Sequence, residues 1–188
     1  VMRSSLLGSL IAVLKFNLDR KAQRVRLFEL GRVFRKDVSV QDSDTSVAGF
    51  DQPMRVAGLA YGGVDSLQWG SAERNVDFFD IKGDVEALLA PLQPTFKPAE
   101  HPAMHPGRCA SVWLGERCLG HVGELHPKWR QGYDLAQAPV MFELALDAVL
   151  LREVPVFQAV SRHQPVERDI ALVVKESVTH AEVMDAIL

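Results

Sequence analysis

The stretch VRLFELGRVF at residues 25–34 indicates a β-strand. Leu27 and Glu29 alternate with Phe28 and Leu30, and successive side chains of a strand point to opposite faces. Gly31 is expected to break or bend this strand, because glycine has no side chain to pack. Residues 38–53 are polar and acidic and predict an exposed loop, after which residues 55–63 resume a strand. The two strands are therefore expected to pair antiparallel across a long connection.

Outward from this pair, helices and hairpins alternate without a regular strand–helix–strand repeat. A helix is predicted at residues 4–18, capped by Ser4 or Ser5, and another at 77–89, capped by Asp77 or Asp80 and ended by Pro91. We expect strands at 95–100 and 140–146, a hairpin at 109–114 and 118–125, and a short helix at 127–133. This order predicts an α+β fold, an antiparallel or mixed sheet with helices packed on it.

The first predicted helix has two apolar stripes that are offset by one residue. A helix that packs on a single core needs only one stripe. Two interpretations stay open, a central core helix and a helix shared between this core and a partner subunit. In the second case the expected subunit contacts are Leu6, Leu7, Leu10, Ile11 and Leu14.

Composition narrows the possible functions and surroundings of the chain. A protein that mainly grips RNA phosphates usually has a basic excess, whereas this chain has a net charge of −3, so any RNA contact must be local or made by another domain. Cys109 and Cys118 are too few for a disulfide framework and lack metal-ligand spacing, and are expected to be buried free thiols in a reducing compartment. No apolar run approaches a membrane span and no signal peptide is evident. We expect a cytoplasmic protein, and a fragment of a longer one.

No group of residues predicts catalysis or metal binding. His101 and His105 are four residues apart, but Pro102 and Pro106 follow them and disfavour the helix that would align them. Phosphate-binding glycine loops and a nucleophile elbow are not found. Capping explains the nearby carboxylates Asp77 and Asp80 without a catalytic role. We expect no catalytic residue and no metal ligand in this chain.

The last part of the chain predicts an incomplete second domain. Residues 152–168 contain Pro155 and Pro165 and predict a linker, 169–174 predict a strand, and 179–188 predict the start of a helix. Arg162 and Arg168 lie at the entrance of this domain and are candidate RNA contacts, although surface solvation would also explain them. One strand and one helix cannot close a core, so this domain is expected to be truncated.

Six stretches of the chain resemble motifs of one family. They are MRSSLLGSL (2–10), LFELGRVF (27–34), DFFDIKGDVE (77–86), HPGR (105–108), GELHP (123–127) and RDIALVV (168–174). In this order, across nearly the whole chain, they resemble the beta subunit of bacterial-type phenylalanyl-tRNA synthetase. The resemblance implies a class II synthetase-like antiparallel sheet flanked by helices at 1–151 and the start of a ferredoxin-like anticodon-binding domain at 169–188.

The same resemblance implies a role within a larger enzyme. It implies an α2β2 ligase that joins phenylalanine to tRNA(Phe) with ATP and magnesium, whose active site lies in the alpha subunit. The beta domain is then a non-catalytic relative that serves subunit assembly and tRNA positioning, with its first helix at the subunit interface. No cofactor is expected in this chain itself.

The loss of catalysis can be checked against the residues of the second class II motif. A working enzyme has Arg-x-Glu on that strand, where the arginine holds the ATP phosphate. Glu29 is present here, but Leu27 stands two residues before it, and Arg26 would point to the opposite face. The Glu/Asp-Arg pair of the third motif is also missing. Two alternatives remain, a free-standing binding module on the same fold and an independent ATP-dependent ligase.

Overall fold

The computed structural model describes residues 2–44, 46–151, 156–157 and 166–187. The chain divides into two compact units after residue 152. The second unit contains the helix α5 (His180–Ile187). The first unit contains α1 (Leu7–Leu18), β1 (Val25–Arg32), β2 (Arg35–Lys36), β3 (Phe50–Asp51), β4 (Met54–Tyr61), α2 (Phe78–Leu89), β5 (Thr95–Pro98), β6 (Met104–Leu114), β7 (Arg117–Leu125), α3 (Pro127–Gly132), β8 (Val140–Ala145) and α4 (Leu146–Val149).

A six-stranded antiparallel sheet forms the centre of the first unit, with strand order β1-β4-β8-β7-β6-β5. The predicted α+β class is therefore confirmed. β1 and β4 pair antiparallel, as the alternation at residues 25–34 predicts, with Val25 opposite Tyr61 and Arg32 opposite Met54. The loop between them is not wholly irregular, since β2 and β3 form a small two-stranded sheet there.

Helices cover both faces of the sheet, and each face has its own apolar core. On the α1 face, Ala57 and Leu59 of β4 pack with the leucines of α1. On the α2 face, Val56 and Ala60 of the same strand pack in the core that includes the buried side of α2. Because alternate side chains of β4 enter opposite cores, this central strand is apolar on both faces.

The start of α2 is fixed by the reciprocal hydrogen bonds of a capping box. Asp77 accepts hydrogen bonds from the backbone N–H groups of Phe79 (2.8 Å) and Asp80 (3.2 Å). Asp80 in turn accepts from the Asp77 N–H at 2.8 Å. Arg74 donates to the Asp80 carboxylate, and this bond is the main cause of the lowered pKa of Asp80. The predicted cap at these two residues is confirmed.

Gly31 does not break β1, contrary to the expectation from its missing side chain. The strand continues to Arg32, and Gly31 pairs with Arg55 of β4. A Cβ atom at this glycine would lie 2.3 Å from Nη2 of Arg3. The glycine therefore gives the N-terminal segment room to approach the sheet.

One strand begins earlier than predicted, and one helix was not predicted at all. β6 begins at Met104, five residues before the predicted start at 109, and a register shift between Met104 and Cys109 marks a bulge. The helix α4 after β8 has no counterpart in the prediction. The predicted short helix with Pro127 in its first turn is confirmed.

In the second unit, the strand predicted at 169–174 is wrong. Residues 166–175 have no regular secondary structure, and the side chains of Ile170, Leu172, Val173 and Val174 are exposed. A strand needs a neighbour for its backbone groups, and the described residues of this unit contain no other strand to pair with. The predicted helix is confirmed as α5, where Thr179 and Glu182 bond reciprocally at its start. Of the predicted linker at 152–168, only residues 156–157 and 166–168 are described.

Candidate functional site

A row of mainly polar residues crosses the whole sheet on the α1 face. Its members come from all six strands and lie directly opposite one another in register: Glu29, Ala57, Glu143, His121, Ser111 and Lys97. Only Ala57 is apolar. A polar row beside an apolar core is the most distinctive chemical feature of this face, and it makes the row the first candidate site.

The N-terminal segment and α1 bind the two carboxylates of this row. Arg3 forms an ion pair with Glu29 at 2.5 Å, and Ser9 donates to the same carboxylate at 2.6 Å. Glu143 accepts from the Ser5 hydroxyl and from the backbone N–H of Leu6 at 3.2 Å. We call these contacts of Arg3, Ser5, Leu6 and Ser9 the N-terminal latch. Both carboxylates of the row are thus already bound by groups of the same chain.

Leu27 and Arg26 lie on opposite faces of β1, as the strand alternation predicts. Leu27 packs against the α1-face core, on the same side of β1 as Glu29. Arg26 pairs with Ala60, whose side chain enters the opposite core, so its guanidinium lies on the other face. There it donates to the backbone carbonyls of Tyr61 and Gly63, each at 2.8 Å. Burial is the main cause that lowers the pKa of Arg26.

Beyond the latch, the polar row continues into a half-buried pair of histidines. The rings of His101 and His121 lie 5.1 Å apart between centroids. Burial is the main cause that lowers the pKa of both imidazoles. The lowered pKa favours the neutral form of each histidine. Ser111 accepts from Trp113 Nε1 at 2.8 Å and donates to the Lys97 carbonyl at 3.2 Å. Its hydroxyl is thus held by neighbours, and among the described residues no hydrogen bond joins it to His121, the histidine opposite it that could act as a base.

Metal binding finds no support in the part of the chain that the structure describes. No group of three or more His, Cys, Asp or Glu side chains there could hold an ion. Both cysteines are free thiols, but only Cys109 is buried as expected, whereas Cys118 is exposed. Burial raises the pKa of the Cys109 thiol to about 11. The exposure of Cys118 corrects the expectation that both thiols are buried.

The five α1 residues expected at a subunit contact lie inside this chain. Leu6, Leu7, Leu10, Ile11 and Leu14 are all 4% exposed or less and belong to the α1-face core. They therefore offer no surface to a partner. The outer side of α1 instead exposes Val13 and Phe16, and the Arg20 guanidinium lies 3.3 Å from the centroid of the Phe16 ring. A partner that docks on α1 would meet these two apolar side chains.

An apolar cavity of about 470 Å³ lies between the start of α2 and the strands β5, β6 and β7. Three of the six family-like stretches meet here, through Phe78 and Phe79, through Arg108, and through Glu124. Arg108 and Glu124 form an ion pair at 2.9 Å, and this arginine lies within the bulged stretch of β6 between Met104 and Cys109. Bulges often redirect a side chain. Because three of the family-like stretches meet at this cavity, it is a second candidate binding surface. The sequence alone did not show that these stretches lie together.

A larger cavity of about 930 Å³ is formed mainly by the loop at residues 62–75. Its arginines are already bound. Arg24 donates to the carbonyls of Gly63 and Val64, and Arg74 bonds to Asp80. Among the described residues, this cavity does not combine an acid, a base and a nucleophile in one group, as an active site would need. It is therefore not a candidate site.

The two candidate RNA contacts stay predictions. Arg168 is exposed in the second unit, while Arg162 lies outside the described residues. None of the helices described is long and apolar enough to cross a membrane.

The chain is similar to known proteins over nearly its whole length. A family model described as the phenylalanyl tRNA synthetase beta chain CLM domain matches residues 1–146. The chain is 55% identical to the phenylalanine–tRNA ligase beta subunit of Ralstonia nicotianae, over 99% of this chain. It is 52% identical to the beta subunit of Cupriavidus pinatubonensis, and 50% identical to that of Dechloromonas aromatica. In each case the chain spans 23% of the relative's length.

Proposed function

Because the chain belongs to the family of phenylalanyl-tRNA synthetase beta chains, through their CLM domain, we propose that it serves a phenylalanine–tRNA ligase as a non-catalytic domain. In the full-length protein it takes part in subunit assembly with an alpha subunit and in positioning tRNA(Phe). The assembled ligase attaches phenylalanine to this tRNA with ATP and magnesium, in the cytoplasm. The resemblance assigns this chemistry to the alpha subunit.

The proposal that this domain is not catalytic rests on the contacts of the N-terminal latch. In the class II synthetase-like fold that we propose for the sheet, β1 is the strand of the second motif, and its glutamate must be free to act with an arginine. Here Glu29 is bound to Arg3 and Ser9, and Arg26 lies on the opposite face. With Leu27 in the place of the arginine, the cation beside Glu29 is Arg3, and its charge is already paired with that glutamate rather than with an ATP phosphate.

Phenylalanine-dependent exchange of pyrophosphate into ATP tests this absence of catalysis. The beta polypeptide alone is expected to show no exchange. In the assembled ligase, the substitutions Glu29→Gln and His121→Gln should each leave the rate within about twofold, whereas removing a catalytic acid or base costs about 10²- to 10⁴-fold. A loss of a hundredfold or more with unchanged assembly and thermal stability would assign chemistry to this face and overturn the proposal.

Subunit assembly is proposed to use the outer side of α1. Val13 and Phe16 are 45% and 55% exposed, and apolar side chains that gather at one exposed site favour a protein contact. In full-length beta polypeptide, Val13→Asp with Phe16→Asp should reduce copurification of the alpha subunit. Val38→Asp is the matched control, because Val38 is also exposed and lies in the loop before β3. Unchanged copurification of the double variant would exclude this side of α1.

A contribution to tRNA positioning is proposed for Arg168, whose exposed guanidinium can reach a phosphate. Arg168→Glu in the assembled ligase should weaken tRNA(Phe) binding and lower the slope of log affinity against log salt by about 0.7 to 0.9 for one lost phosphate contact. Lys175→Glu is the control within the same unit. An unchanged slope for Arg168→Glu would count against an RNA contact at this residue.

A further inference from the structure

The apolar cavity between the start of α2 and the strands β5, β6 and β7 takes no part in the function proposed above. Its volume of about 470 Å³ lies within the range of small-molecule pockets, about 300–1,000 Å³. Three phenylalanine rings and three charged side chains are among the groups that line it: Phe78, Phe79, Phe96, Asp77, Glu124 and Arg108. Apolar walls with a few polar groups are typical of pockets that bind small ligands.

The aromatic walls of the cavity include two rings at right angles to each other. The rings of Phe78 and Phe79 have an interplanar angle of 88° and lie 5.5 Å apart between centroids. Phe78 packs partly in the α2-face core, whereas Phe79 is 74% exposed. A cation already lies over the third ring, since Lys82 Nζ is 4.6 Å from the centroid of Phe96. Because the faces of aromatic rings attract cations, these walls suit an apolar ligand that also carries positive charge.

The charges around the cavity also favour a cation over an anion. Arg108 pairs with Glu124 at 2.9 Å. Arg74 pairs with Asp80 at 2.6 Å and lies 3.7 Å from Asp77. These three carboxylates share two guanidinium groups, so the group as a whole carries one negative charge. A ligand with an ammonium group would balance that charge, whereas a carboxylate would be repelled by it.

The surface around the cavity favours a small molecule over a docked protein. Of the lining residues that the structure describes, Phe79 is the one large apolar residue that is exposed. The exposed residues beside it include Asp77, Gly107 and Arg108, which are charged or small. Stable protein contacts bury about 800 Å² on each partner and are anchored by several aromatic or apolar side chains. One exposed phenylalanine at the mouth of a cavity instead favours a ligand that fills the cavity and covers that ring.

We propose that this cavity binds a small organic cation with an aromatic or branched apolar body. The ammonium group lies toward Asp77 and Glu124, and the apolar body packs against Phe78, Phe79 and Phe96. Binding here requires no catalysis by the domain and no contact at the outer side of α1. The site therefore stands or falls apart from the function proposed above.

Saturation-transfer NMR with 2-phenylethylamine tests the site in the assembled ligase. This probe carries one ring and one ammonium group, and 3-phenylpropionate, with the same ring and a carboxylate, is its matched control. Both are measured with phenylalanine in large excess, so that the substrate pocket of the ligase is occupied. Phenylethylamine is expected to bind with a Kd of about 1 mM, and phenylpropionate at least about tenfold more weakly. Equal binding of the two probes, or no binding of phenylethylamine at about 10 mM, would overturn the proposal.

Two substitutions connect the binding to this cavity. Glu124→Gln removes a charge at nearly constant shape and should weaken phenylethylamine binding by about tenfold, as expected for a lost bond to a charged group. Phe79→Ser removes a ring and should weaken it by about threefold. Glu116→Gln, in the turn between β6 and β7, and Phe157→Ser, in the second unit, change equally exposed residues elsewhere and should have no effect. Unchanged binding in both Glu124→Gln and Phe79→Ser would exclude the cavity as the site.

Two further results would assign the probe or the cavity differently. If a variant that loses phenylethylamine binding also has a raised KM for phenylalanine in pyrophosphate exchange, the probe occupies the substrate pocket and the proposed site is wrong. If the beta polypeptide alone binds the probe and the assembled ligase does not, a protein segment covers the cavity, and a small-molecule site is refuted. Neither result bears on whether the domain is catalytic.

Discussion

Substitution of Leu14 by alanine separates the two roles that the first helix was expected to combine. Leu14 is 0% exposed and packs in the α1-face core. The change removes three carbons, worth about 2.4 kcal/mol at roughly 0.8 kcal/mol per buried CH₂. The cavity left behind adds to this, so the free energy of unfolding should fall by about 3–5 kcal/mol. Val13→Ala, one residue away and 45% exposed, should change it by less than about 0.5 kcal/mol.

Urea denaturation monitored by circular dichroism and by tryptophan fluorescence measures both variants. The two probes should give coincident transitions, and the slope against urea should match that of the unsubstituted chain, so that a shifted midpoint reports stability alone. Copurification with the alpha subunit is then measured in the full-length polypeptide at a temperature where Leu14→Ala remains folded. There it should bind as the unsubstituted protein does.

A small loss of stability together with weaker binding of the alpha subunit would refute the placement of Leu14 in the core. If Leu14→Ala cost less than about 1 kcal/mol, the side chain would lack the surroundings of a buried core residue. If it also weakened copurification while Val13→Ala did not, the partner would contact the inner side of α1. The helix would then have to turn or lift from the sheet in the assembled protein.

Three further predictions follow from single sites. Burial lowers the pKa of His101 and His121, so the unfolded chain takes up protons first and stability should decrease as pH falls below about 6.5; His121→Gln should reduce this slope in unfolding measurements between pH 8 and 5. Asp77→Ala removes the cap of α2 and should cost about 1 kcal/mol, seen as a lower Tm, while unchanged stability would show that the cap is dispensable. Iodoacetamide at pH 8 should modify Cys118 well before Cys109, whose pKa is raised to about 11, and mass spectrometry of the labelled peptides would expose the reverse order.

Elements whose signals are local were predictable from the sequence. The capping box at Asp77 and Asp80, the alternation at residues 25–34 and the turn between β6 and β7 each depend on neighbouring residues. The boundary of β6 at Met104 was missed because the bulge interrupts the pattern. A bulge is set by pairing with the partner strand, and a single strand does not encode it in its own alternation.

The two stripes of α1 form one wide stripe, which agrees with the first of the two interpretations, a central core helix. At 3.6 residues per turn, Leu6, Leu7, Leu10, Ile11 and Leu14 span an arc of about 140°. A helix that lies on a broad sheet and also meets its own preceding segment can bury an arc of this width against a single core. The partner was therefore not needed to explain the second stripe. The large apolar side chains of α1 that are open to a partner are Val13 and Phe16.

The polar row on the α1 face was beyond prediction from the sequence, since it is created by strand register. Its members lie far apart in the chain, and each taken singly looks like an ordinary strand residue. The sequence did identify Glu29 and the missing arginine at Leu27, but it did not show what binds that glutamate. The carboxylates Glu29 and Glu143 would repel each other and hold water if they faced an open pocket.

Through the N-terminal latch, Glu29 and Glu143 hold the start of α1 on the sheet instead of forming a binding site. Arg3, Ser5 and Ser9 supply the positive charge and hydroxyl groups that a substrate would otherwise have to provide. On the α1 face, Glu29 and Glu143 stabilise the fold by binding groups of their own chain. The same carboxylates cannot at the same time stabilise charge that develops in a reaction. Binding surfaces are then expected elsewhere, where large apolar side chains remain exposed, as at Val13 and Phe16 on the outer side of α1 and at Phe79 beside the start of α2.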